Sequence, residues 1–99
     1  MSIFTKKQLE TLEDTEYSAT DSSIVKLRAS IGVNNNWLIT GWAEKDYLFF
    51  GYVCINGEKD FAEWGSISKT ELEDLSKNHQ LEIATPNISF IEAKKLYIV

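Results

Sequence analysis

Residues 37–67 read WLITGWAEKDYLFFGYVCINGEKDFAEWGSI. Three apolar runs rich in aromatic and β-branched residues, 37–43, 47–55 and 60–67, are separated by two short polar stretches. That is the pattern of consecutive antiparallel strands joined by turns. Asn56-Gly57 is a strong hairpin signal, because a type I′ turn needs positive φ at both central residues. Glu44-Lys45-Asp46 is a longer turn. In the middle run, Tyr47, Phe49, Gly51, Val53 and Ile55 alternate with Leu48, Phe50, Tyr52 and Cys54. Neither set is polar, so this strand is expected to be central and covered on both faces, or to leave an aromatic surface for a partner.

Outward from this hub, Ile24 to Ile31 alternates with the period of a half-buried strand: Val25, Leu27, Ala29 and Ile31 on one face, Lys26, Arg28 and Ser30 on the other. Thr5 and Gln8 form a T-x-x-Q capping box, with Phe4 and Leu9 as a hydrophobic staple, so a short helix is expected from Lys6. Ser68 and Glu71 repeat the logic as S-x-x-E, with Ile67 and Leu72 as the staple, and Lys77-Asn78 ends that second helix. Beyond it, Leu81 to Ile83 reads as a short extended piece, Thr85-Pro86-Asn87 as a turn, and the tail, ending Leu96-Tyr97-Ile98-Val99, as a closing strand. The expectation is a single α+β domain: an antiparallel meander sheet of four to five strands, in sequence order, with two short helices packed on it.

Composition bounds the function. Of 99 residues, 43% are hydrophobic and 12% aromatic, which is globular. Fifteen acids against ten bases leave a net charge of −5, which would repel a phosphate backbone, so direct nucleic-acid binding is disfavoured. The lone cysteine, Cys54, reads as a buried, inert thiol in a reducing compartment. MSIFTKKQ lacks the apolar core of a signal peptide, and no run is long enough to span a membrane. These features point to the cytoplasm.

Catalytic signals are weak. His79 is the only histidine and sits where a cation helps to finish the second helix. One histidine and one cysteine do not make a zinc site. The glycines never form a phosphate-binding pattern; Gly41, Gly51 and Gly65 fall inside strands, where they permit a bulge or a close approach. Glu63, Asp60 and Glu44 could supply a carboxylate pair, but any acidic surface offers such pairs. No cofactor and no metal are expected, and the chain reads as a non-enzyme.

Aromatic content stands out instead. Phe49, Phe50 and Phe61 are assigned to the core. For Trp42, Tyr52 and Trp64 both core and binding stay open, since Trp is seldom fully buried and is enriched at binding hot spots. The run from Glu10 to Asp21 holds five acids and no base; it reads as a solvated loop with Tyr17 anchoring it or contacting a ligand. Tyr17, Asp21, Trp42, Glu44, Tyr52, Glu63 and Trp64 are therefore the candidate partner-binding residues.

FTKKQLETL, EYSATDSSIVKL, a Trp-led strand, LFFGYV and EWGSISKTELEDL occur here in an order and spacing that resemble the small-protein family catalogued as domain of unknown function 2958. The likeness covers residues 3 to 75. Ser18 before Ala19-Thr20, Asp21 in place of Glu, and Trp64-Gly65-Ser66-Ile67 after the last turn depart from the family pattern. The resemblance implies a mobile-element protein of plasmids and phages. It carries no established activity and no catalytic residues. By analogy of context it leads to an inhibitor of a host defence system, of anti-CRISPR or anti-restriction type, acting on a host protein with a basic surface. The alternative is a small-ligand or nucleotide-binding module with Tyr17, Thr20 and Trp64 around a pocket. A hydrolase using Glu63 comes third. The outer strands leave a homodimer open.

Overall fold

Antiparallel pairing runs through the hub as its turns require. The computed structural model describes residues 3–12, 22–43 and 46–98. Strands β2 (Leu27–Ile31), β3 (Asn35–Ala43), β4 (Leu48–Cys54) and β5 (Glu63–Ser68) form the expected meander, and β6 (Leu81–Ala84) adds to β2, giving the order β5-β4-β3-β2-β6. A second, two-stranded sheet pairs β1 (Ile24–Val25) with β7 (Ile88–Ser89). The fold is α+β.

The strand expected from Ile24 to Ile31 is broken at Lys26, whose N–H donates to the Ile39 carbonyl at 3.0 Å. The break changes faces. Leu27 and Ala29 join one hydrophobic cluster with Trp37, Ile39, Trp42, Phe49, Ile67 and Leu72, while Val25 joins another with Leu38, Tyr52, Cys54, Phe90 and Ala93. The sheet thus carries a core on each side, as the two apolar sets of β4 require.

Face one is covered by α1 (Lys6–Glu10) and α2 (Lys69–Asn78). The Thr5 hydroxyl accepts from the Gln8 N–H at 3.1 Å and the Gln8 side chain returns a bond to the Thr5 N–H at 2.9 Å, completing the capping box. Ser68 accepts from the Glu71 N–H at 3.1 Å. Both staples, Phe4 with Leu9 and Ile67 with Leu72, feed the same cluster.

Face two is covered by a third helix, α3 (Phe90–Tyr97), where a closing strand was expected. Its start is one more S-x-x-E: Ser89 accepts from the Glu92 N–H at 3.4 Å and donates to the Glu92 carboxylate at 3.2 Å. Ile88 and Ala93 occupy the staple positions in the second cluster. An apolar stripe at Phe90, Ala93 and Tyr97 has helical spacing, so burial on the sheet overrides the β-branched ending.

The second correction concerns the β4–β5 connection. Asn56 and Gly57 do take positive φ, 57° and 69°, and the Glu58 N–H donates to the Ile55 carbonyl at 3.1 Å, as a type I′ turn demands. That turn does not close the hairpin directly, because a 3-10 turn at Lys59–Phe61 follows and Val53 pairs with Glu63. Phe61 therefore lies outside the strand, and it is 78% exposed where a core position was expected.

Candidate interaction surface

One strand glycine and a bulge fix where the aromatic residues point. Between Ile39 and Gly41 the β3–β4 register shifts by one residue at Thr40. In an unbroken alternation Trp42 would fall on the same face as Leu38; with the bulge, Trp42 pairs with Phe49 and joins Trp37 and Ile39. Opposite the bulge, a Cβ on Gly51 would run into the Leu38 backbone carbonyl, so β3 and β4 approach closely there.

The candidate residues consequently divide. Trp42 is 8% exposed in the first core, its ring 4.7 Å from Phe49. Tyr52, at 9%, lies on the opposite face beneath α3, edge-on to Phe90 at 4.9 Å, with the Lys94 ammonium 5.5 Å above its ring. Half-buried Trp64 stacks on Phe50 at 5.8 Å and meets Phe90 at 4.5 Å. Glu63 is exposed beside it at the start of β5. Tyr17, Thr20, Asp21 and Glu44 lie outside the described residues, as does the acidic run over 13–21. Trp42 and the Tyr52–Trp64 pair thus form no common surface.

What the sequence reading missed lies at one end of the sheet. The β2–β3 turn at 32–34, the connection at 55–62 and the C-terminal end of α3 meet there, and they are tied by three consecutive asparagines. The Gly57 N–H donates to the Asn34 carbonyl at 2.8 Å, and the Asn56 N–H to the Asn35 side chain at 2.9 Å. Asn36, fully buried, donates to the carbonyls of Val33 at 3.2 Å and Tyr97 at 3.4 Å. Its own oxygen accepts two bonds from Arg28, at 2.7 and 3.0 Å, and the Arg28 guanidinium lies 4.0 Å over the Tyr97 ring. On this frame Val33 is 81% exposed, Phe61 78% and Leu96 64%, with Ile55 also open to solvent. The connection adds Glu58 and Asp60 against Lys59, and Glu63 follows at the start of β5.

Elsewhere, a groove of about 620 Å³ runs between α1 and the 85–87 loop, lined by Thr5, Lys7, Gln8, Thr11, Lys26 and Asn87, among others. Lys26 donates to the Thr11 carbonyl at 2.8 Å. Trp64 is not among its walls. Among the described residues no group of three or more His, Cys, Asp or Glu side chains is placed to hold a metal, and no helix is long and apolar enough to cross a membrane. Cys54 is buried. No protein-family model, curated protein or solved structure matches the chain.

Proposed function

We propose that the chain is a non-catalytic protein-binding module that docks through this tip, with Phe61 and Val33 as anchors. One observation carries the reading: two large apolar side chains stand almost wholly in water on neighbouring loops whose backbones are hydrogen-bonded to each other. Exposed apolar groups on a preordered frame bind at low entropic cost, because little of the loop remains to be ordered on association. The acids of the 55–62 connection favour a partner with basic residues around an apolar pocket. The family resemblance, with its mobile-element context, is the ground for expecting that partner to be a host-defence protein, and the geometry itself supports only the coarser reading of protein binding.

The test is retention of proteins from host extract on the immobilised chain, compared with a Val33→Ser/Phe61→Ser double variant shown by circular dichroism to be folded. A basic protein held by the unmodified chain, released by the double variant and weakened by high salt, is the expected result. Equal retention by both chains, or none by either, overturns the proposal. The groove beside α1 supports a second reading, since its two lysines, Lys7 and Lys26, suit a small anion. Thermal-shift measurements against nucleotides decide that one, a flat response counting against it.

A further inference from the structure

The tip carries a chemical weak point. Of the six asparagines in the chain, Asn56 alone precedes a glycine. In such a pair the peptide nitrogen of the second residue can attack the carboxamide of the first, and a glycine offers no side chain to hinder the approach. Asn56 and Gly57 are both exposed, and among the described residues no hydrogen bond holds the Asn56 carboxamide.

The reaction needs nothing beyond water. The Gly57 nitrogen gives up its proton and bonds to the side-chain carbonyl carbon of Asn56, closing a succinimide ring, while the side-chain nitrogen takes up a proton and leaves as ammonia. Water then opens the ring at either carbonyl, giving aspartate or isoaspartate. Nothing is oxidised or reduced.

The fold intervenes at the first step. The Gly57 N–H donates to the Asn34 carbonyl at 2.8 Å, so the attacking nitrogen must first lose this bond. Its neighbours are fastened as well: the Asn56 N–H to the Asn35 side chain at 2.9 Å, the Glu58 N–H to the Ile55 carbonyl at 3.1 Å and the Lys59 N–H to the Gly57 carbonyl at 3.0 Å. Together they hold both residues in the left-handed turn, at φ 57° and 69°. We propose that Asn56 is a deamidation site gated by the Gly57–Asn34 hydrogen bond, converting at a rate set by how often the tip opens. The product puts a further negative charge beside Glu58 and Asp60. Isoaspartate also lengthens the backbone by a methylene within the turn, which the I′ geometry does not accommodate. The chemistry is the same whether or not a partner docks there.

Peptide mapping by mass spectrometry follows the conversion in the full chain at mildly alkaline pH. In urea, Asn56 should convert faster than any other asparagine. In the folded chain the same site should be slower by about tenfold or more, since only the open fraction reacts. Asn35→Ala, which releases the Asn56 N–H, should speed the conversion severalfold in a chain shown by circular dichroism to be folded, and leave the rate in urea unchanged. Ser68→Ala, whose lost cap touches none of the bonds of the tip, should not speed it. Should N35A not fold, the unmodified chain compared with and without urea decides the matter. Equal or faster conversion in the folded chain overturns the proposal, as does a rate at Asn56 in urea no higher than elsewhere. So does a folded N35A that converts no faster, or an S68A that converts as fast as N35A, which places the gate at global unfolding.

Discussion

Two residues without an obvious chemical role set the shape of this molecule. At Gly51 any side chain would meet the Leu38 carbonyl, which is backbone and cannot swing aside. Gly51→Ala should therefore cost about 1–3 kcal/mol by overpacking, read as a lowered urea midpoint. Asn36 joins the turn at Val33, the guanidinium of Arg28 and the end of α3 in one buried set of hydrogen bonds. Asn36→Ala strands those partners, and a loss of about 2 kcal/mol is expected. Faster amide exchange around residues 32–34 and at the end of α3 should accompany it. Read locally, Gly32-Val33-Asn34-Asn35-Asn36 is a loop whose Gly and Asn residues suit positive φ; such a pattern does not identify an amide that reaches across the fold to a helix sixty residues later. Phe61 was misread for a related reason. An apolar residue next to a strand pattern looks like strand, and nothing local reveals that a 3-10 turn has carried it out of the ladder.

Each helix begins with the same device. Ser68→Ala and Ser89→Ala should each cost about 1 kcal/mol through the lost cap, measurable as shifts in thermal unfolding, but their optical signatures should differ. Loosening α3 wets Tyr52 and Trp64, which contact Phe90, so S89A should also red-shift the tryptophan emission, and S68A should do so less. The first two helices were legible from their capping boxes and staples. Ser89-x-x-Glu92 was equally present in the sequence, but Leu96-Tyr97-Ile98-Val99 favours strand by composition, and tertiary burial decided between the two. The meander was legible because its connections are short and its aromatic and β-branched runs are bounded by turn residues. The split at Lys26 was not, since a chain that changes faces still alternates on either side of the break.

Among the described residues the five-stranded sheet carries two separate cores, one on each face. Ile67→Val trims the first and Ile98→Val the second. Each should cost about 1 kcal/mol, and their sum should match the double variant within about 0.5 kcal/mol because the sites share no partners. Denaturant unfolding of the four chains checks this. At this scale the candidate site was only partly legible: aromatic content left Trp42, Tyr52 and Trp64 open between core and binding, and the structure places Trp42 and Tyr52 inside and leaves Phe61, Tyr47, Val33 and Leu96 in water. The thirty-odd residues of the hub could not disclose which side of the sheet a distant helix would take. One consequence concerns the order in which the chain is made. Among the described residues, the two helices that cover the first face, α1 and α2, precede β6, while α3 follows the entire sheet. During synthesis there is an interval in which the β3–β5 meander is complete and Leu38, Tyr52, Cys54 and Trp64 are still bare. The growing chain passes through a one-sided state with an open aromatic wall, and that interval is when it is most exposed to chaperone capture and to aggregation.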